Sequence, residues 1–146
     1  MSITLTSPAF GDDEIIPRQF TCDGDNVPPP LQWSPGPAGT LSFALTMEDP
    51  DAAGGTFTHW VLYDIPARVT HWPGEWSGKT MRNSFGRSGY GGPCPPPGDR
   101  PHGYVFSVHA LDVRHLELSG ERLEDLRAAL ETHGLSLGRL VGRYER

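Results

Sequence analysis

Leu41-Ser42-Phe43-Ala44-Leu45-Thr46-Met47 is the stretch whose reading decides the fold. Leu41, Phe43, Leu45 and Met47 recur at period two, the spacing of a half-buried strand, because successive strand side chains point to opposite faces. Downstream, Phe57 to Ile65 sets Phe57, His59, Val61, Tyr63 and Ile65 on one face and Trp60 and Leu62 on the other. Tyr104 to Leu111 is rich in β-branched and aromatic residues and apolar on both faces, which marks a central strand. These three segments predict an all-β, β-rich domain.

Outward from them the signals weaken. Ile3 and Leu5 alternate with polar residues and suggest a first edge strand. Pro17 to Asp25 reads as a short strand into a turn at Asp23-Gly24. Val27-Pro28-Pro29-Pro30 cannot join a ladder, since proline has no N–H, so it should be an extended connector into Leu31-Gln32-Trp33. Ala67 to Pro101 shows no strong periodicity, and long irregular loops in a compact domain usually serve function. Near the C-terminus, Leu123, Leu126, Leu130 and His133 follow helical spacing, with Ser119 as cap, a helix from Gly120 to His133 and Gly134 to close it. Arg139 to Arg146 reads equally as a last strand or as the sequel to a short helix at Ser136.

The 146 residues fit one domain, 1–146, and 18 glycines with 15 prolines suit a turn-rich architecture. The net charge of −6 and a single lysine, Lys79, argue against nucleic acid as a partner, which would need a basic stripe. Met1 to Phe20 lacks a basic start and an apolar run of signal-peptide length, and no segment reaches transmembrane length; a soluble, cytoplasmic protein is expected. Cys22 and Cys94 are too few for a disulfide scaffold. They read as two reduced thiols, with a conditional disulfide as the alternative.

The chemistry gathers in two places. Asp49-Pro50-Asp51 is a locked acidic turn followed by His59-Trp60, and the Gly/Pro-dense loop from Gly86 to Pro101 ends in His102-Gly103-Tyr104. Each puts a histidine at or near a strand end, where rigid scaffolds build sites. A carboxylate that accepts an imidazole N–H fixes the tautomer and favours the charged ring, so the two histidines together would suit an anion. A lone histidine in a strand, by contrast, is ordinarily a satisfied core residue. A metal is not favoured: His-Glu-x-x-His and Cys-x-x-Cys are both missing, and no cofactor is implied. Gly89-Tyr90-Gly91-Gly92-Pro93 lacks the Lys-Ser/Thr of a P-loop but lets backbone N–H groups approach an anion. Ser84, Ser88 and Cys94 lie outside any nucleophile elbow, so an enzyme is allowed rather than demanded.

Asp49-Pro50-Asp51-Ala52, Phe57-Thr58-His59-Trp60, Gly89-Tyr90-Gly91-Gly92-Pro93-Cys94-Pro95-Pro96 and Pro101-His102-Gly103-Tyr104-Val105-Phe106 together resemble the phosphatidylethanolamine-binding protein family, and within it the prokaryotic Raf-kinase-inhibitor-like branch. Phe20-Thr21-Cys22-Asp23-Gly24, Asn83-Ser84-Phe85-Gly86, Ala110-Leu111-Asp112 and Leu140 to Arg146 extend the match over nearly the whole chain. Departures are Pro28 for a usual serine, Ala53 for a frequent proline, Gly103 where animal members carry arginine, and His109 for a commoner aromatic.

The resemblance implies a β-sandwich-like fold of two antiparallel sheets, a C-terminal helix and long loops around a small pocket. It implies that Asp49, His59, His102 and Tyr104 line the pocket, that the Gly92 amide donates into it, and that a cis peptide lies near Gly55-Thr56. The expected function is binding of a small anion, phosphate or a phospho-headgroup, by a protein that modulates a kinase or another signalling partner. A homodimer is compatible with this. Alternatives are a hydrolase using His102 with Cys94 or a metal, and a protease-inhibitor-type interaction protein.

Overall fold

The computed structural model describes residues 2–74 and 78–146. In chain order the elements are β1 (Leu5–Thr6), β2 (Glu14–Ile15), a 3-10 turn (Arg18–Phe20), β3 (Leu31–Trp33), β4 (Ser42–Asp49), β5 (Phe57–Pro66), β6 (His71–Trp72), β7 (Lys79–Thr80), β8 (His102–Leu111), α1 (Leu123–His133) and β9 (Gly134–Tyr144). They form a three-stranded sheet, β1-β3-β6, and a six-stranded sheet, β2-β9-β8-β4-β5-β7. All pairings are antiparallel except β2 with β9. The fold is the expected β-rich arrangement of two sheets and one C-terminal helix.

Four long strands, β9, β8, β4 and β5, form the centre of the large sheet. Phe43, Leu45, Met47, Phe106, Val108 and Leu140 pack from it against Leu5, Leu31 and Trp33 of the small sheet and against Phe10, Ile16 and Phe20. On the opposite face Ala44, Val61 and Leu111 meet Leu126, with Leu123 and Leu130 of α1 alongside. So β4 is buried on both faces rather than one: Ser42, Ala44 and Thr46 are as sequestered as Phe43 and Leu45. The strand starts one residue late, and Leu41 is left exposed.

Several local expectations are corrected. Pro17 to Asp25 makes the 3-10 turn and further turns, not a strand. The helix begins at Leu123, where the Asp125 side chain accepts the Arg122 N–H at 3.0 Å and the Ser119 hydroxyl donates to the other Asp125 oxygen. Gly134 does not end the helix in a left-handed turn. Its backbone is extended (φ −71°, ψ 127°), and the chain runs directly into β9, which leaves no place for a helix at Ser136. The described chain has its cis peptide at Trp72–Pro73, not near Gly55–Thr56; there Gly55 takes φ 104°, a conformation open to glycine, and turns the chain with a trans bond.

Strand β5 holds the feature that positions the site. Its pairing with β4 slips twice. Met47 faces Trp60 while Glu48 faces Thr58, so His59 is the extra residue of a β-bulge. At the other end Phe43 faces Ile65 and Leu45 faces Leu62, leaving Tyr63 and Asp64 opposite Ala44.

Candidate functional site

Simple alternation from Phe57 puts His59 on the face of Val61 and Tyr63. The bulge undoes this. An inserted residue turns one side chain to the other face, and His59 stands beside Tyr104, their ring centres 5.2 Å apart, on the side of the sheet that Trp60 occupies. Val61 stays on the helix side. The bulge also frees the His59 carbonyl from β4, and it accepts the Gly91 N–H at 3.0 Å. In return the His59 Nδ1 donates to the Gly91 carbonyl at 2.6 Å. A carbonyl can only accept, so Nδ1 carries a proton, and in the neutral ring Nε2 keeps a lone pair.

From β4 and β8 come the other two polar walls. The Asp49 carboxylate, 3% exposed, accepts the His102 Nδ1–H at 2.7 Å and, through Oδ1, the Asp51 N–H at 2.8 Å. Asp51 ties the turn to β8 by accepting the Gly103 N–H at 2.8 Å. His102 is held at its second nitrogen too, since Nε2 lies 3.0 Å from Asp99 Oδ2. Asp99 belongs to the Gly/Pro loop but carries no motif of its own in the sequence. Only the fold reveals it.

Burial sets the two histidines apart. Desolvation lowers the His59 pKa below its ordinary value, and the Gly91 carbonyl and the Asp49 charge recover only part of that. His59 is therefore neutral at pH 7. Burial pulls His102 down as well, but the hydrogen bonds and charges of Asp49 and Asp99 outweigh it and hold the ring above the ordinary value. Tyr104, 1% exposed, is pushed upward by burial and then by Asp49 and Asp51, so it stays a neutral phenol.

Asp49, His59, His102 and Tyr104 share one cavity of about 240 Å³ with Ala52, Ala53, Gly54, Phe57, Phe85, Cys94, Pro95 and Pro96. Gly92 is not among its lining residues. Its N–H is already given to Asn26 Oδ1 at 2.8 Å, so it is not aimed at a ligand. A Cβ on Gly92 would come within 2.4 Å of Asn26 Oδ1 and of the Phe20 carbonyl; the glycine is there for close packing.

The walls are otherwise apolar. Phe85 packs edge-on against Phe57 and His59. Asn83 holds it in place by accepting the Phe85 and Arg87 N–H groups and donating to the Gly89 carbonyl. Ser84 accepts the Thr58 N–H at 2.9 Å and clips that turn to β5.

Cys94 is not a thiol. It is bonded to Cys22 across 72 residues, and the Cys22 N–H donates to the Pro93 carbonyl beside it. Two cysteines with no sequence framework read as reduced, but the loops that carry them are brought to a Cα separation of 5.4 Å. With no free cysteine in the chain, a His102–Cys94 nucleophile is ruled out in this state. Among the described residues no three histidine, cysteine or acidic side chains come together in a metal-holding group.

A family profile described as "Phosphatidylethanolamine-binding protein" matches residues 6–145. The chain is 45% identical to a UPF0098 protein of Aquifex aeolicus, covering 96% of this chain and 86% of that one. It is 40% identical to a Mycobacterium tuberculosis protein named "Putative lipoprotein LppC", covering 98% of this chain and 72% of the other. The crystal structure of Escherichia coli YbcL, described as a new member of the mammalian PEBP family, superposes with a TM-score of 0.91 at 32% identity, covering 100% and 99% of the two chains.

Proposed function

The chain belongs to the phosphatidylethanolamine-binding protein family, and from that premise we propose that its pocket binds the oxyanion of a small phosphate-like ligand rather than transforming it. The observation that carries this reading is the convergence of His59, His102, Asp49 and Tyr104, from three different strands, on one small cavity with apolar walls. Such a cavity favours a ligand with a compact polar head and an apolar neighbour along Phe85, Phe57 and Pro96. Binding is favoured over hydrolysis because no activated nucleophile stands beside either histidine: Cys94 is bonded and the Ser84 hydroxyl is engaged with Thr58.

Asp49 orients His102, whose charge attracts the ligand, while His59 and Tyr104 supply further hydrogen-bonding partners. The family resemblance extends the proposal to a phosphorylated group on a protein partner, such as a kinase. The Cys22–Cys94 bond favours an oxidising compartment over the cytoplasm, and the lipoprotein name of one relative accords with that.

Titration with inorganic phosphate, followed through the histidine ring signals, tests the proposal. Saturable shifts at His59 and His102, lost in His59→Ala with the fold retained, support it. Rings that do not respond to phosphate sink it.

A further inference from the structure

Helix α1 does not close fully on the sheet beneath it. Leu126 is wholly buried in the cluster with Ala44, Val61 and Leu111, but Leu123 and Leu130, about one turn to either side, stay half-buried. The cause is the floor below them. Pairing register sets Thr46, Ser107 and Arg139 side by side across β4, β8 and β9, with His109 two residues further along β8 on the same face. An amphipathic helix is ordinarily met by apolar side chains. Here it meets two hydroxyls, an imidazole and a guanidinium, and a cavity of about 360 Å³ remains between the layers. It shares no lining residue with the cavity around His59 and His102 and lies on the other face of the sheet.

The polar floor lacks partners of its own. Thr46 is 4% and Ser107 8% exposed, yet among the described residues neither hydroxyl makes a hydrogen bond, nor does the His109 ring, and all three residues line the cavity. Sequestered polar groups without a protein partner gain most from one supplied by a ligand. Burial, and then the charge of Arg139, push His109 down to about 4, so its ring is neutral at pH 7 and offers one donor and one acceptor. The remaining charged groups are Glu48, Arg127 and Glu131. Arg127 is taken by Glu48 at 2.5 Å, whereas Arg139 has no carboxylate within ion-pair distance among the described residues.

We propose that this cavity is a second binding site, for a small monocarboxylate with a short apolar tail. Arg139 holds the carboxylate, because a planar guanidinium matches it with two parallel N–H donors, and the Ser107 and Thr46 hydroxyls complete the contact. The tail lies under Leu123 and Leu130 and buries the sides that the helix leaves open. Charge sets the ligand class. Arg139 is the unpaired cation, while Glu131 and the ion-paired Glu48 face the same space, so one negative charge is matched and a phosphate dianion is repelled. This site stands independently of the oxyanion reading of the other pocket.

The test is a titration of the intact protein with sodium hexanoate, read by NMR at the His109 ring and at the Ser107 and Arg139 amides. Hexan-1-ol and inorganic phosphate serve as comparison ligands, and Arg139→Gln is the variant; Arg139 is exposed, so the fold should be kept. The expected result is saturable hexanoate shifts at these positions. Affinity should fall about tenfold or more in Arg139→Gln and likewise for hexan-1-ol, since each change removes the charge-assisted pair. Phosphate should leave the three positions unmoved. The proposal is overturned if hexanoate moves none of them, or moves only the His59 and His102 rings. Equal affinity for hexan-1-ol, equal affinity in Arg139→Gln, or tighter binding of phosphate at His109 overturns it as well. The phosphate response of His59 and His102 is read in the same spectra and decides the other pocket separately.

Discussion

Strand β5 carries two bulges, one at each end, and each delivers a polar side chain that a regular strand would have placed elsewhere. At one end the extra residue is His59; at the other Asp64 sits with φ 58° opposite Ala44. Each end also has a buried aspartate beside a histidine. Asp49 meets His102 at 2.7 Å with both side chains nearly excluded from water. Asp64 meets His115 at 3.4 Å, but that histidine is 77% exposed.

The Asp64 carboxylate mainly accepts the Leu116 N–H at 2.8 Å and pairs with Lys79, which ties the chain before α1 to the sheet. The same residue pair is a staple at one end and a buried, cavity-lining pair at the other. What separates them is whether the imidazole is desolvated and walled by apolar groups, not whether an aspartate stands next to it.

Breaking the disulfide should separate the two ends most strongly. Reducing Cys22–Cys94 or replacing both with serine releases a loop closed over 72 residues and should lower stability by about 4 kcal/mol, read by denaturant unfolding. Hydrogen exchange should then rise in the loop around Gly91 and Pro95 and stay low around Asp64 and Leu116. An equal rise at both ends would contradict the division.

Asp64→Ala comes next. It strands the buried Leu116 N–H and puts alanine at a positive φ, for a loss of about 2 kcal/mol. The His59 and His102 ring signals should not move; if they do, the bulges are coupled.

Asp49→Asn acts on the pocket with a smaller cost, about 1–2 kcal/mol for one charge-assisted hydrogen bond. His102 has a raised folded pKa, so its stabilisation is complete below about 6.5, the unfolded value, and is lost as pH rises through the folded pKa. The substitution should flatten that part of the pH–stability profile. His59 has the opposite sign: its folded pKa is lowered, so stability falls as pH drops below about 6.5. A profile unchanged by Asp49→Asn would show that the carboxylate does not hold the His102 charge. His115→Ala should be the weakest, within about 0.5 kcal/mol, because an exposed imidazole at that distance is screened by water.

How much of this was legible varies from residue to residue. The alternation of Phe43, Leu45 and Met47 marked β4, because one strand's own periodicity reports that it has faces, and a run of β-branched and aromatic residues apolar on both faces marked β8. It did not show that α1 covers the second face of β4, since Ser42 and Thr46 are polar and their burial depends on what lands on them. Asp49, His59, His102 and Tyr104 were all visible as chemistry at strand ends. Asp99 was not, because a single acid in a Pro/Gly loop looks like any solvated turn residue. Gly92 was visible but misread: its N–H had a nearer acceptor in Asn26, far away in sequence.

By itself, then, the sequence determined the strands β4, β5 and β8, the C-terminal helix and the inventory of side chains available to a pocket, all of which follow from local patterning, while β9 stayed open and β2, β6 and β7 were not legible. The tertiary structure alone decided how they act. A bulge exists only in the register between two strands, and it is what turned His59 toward Tyr104. The charge on His102 depends on carboxylates that reach it from β4, 53 residues away in the chain, and from the loop before it. The Cys22–Cys94 bond needed two distant loops to meet. Pairing register, burial and long-range hydrogen bonds are properties of neighbours in space, and no window along the chain contains them.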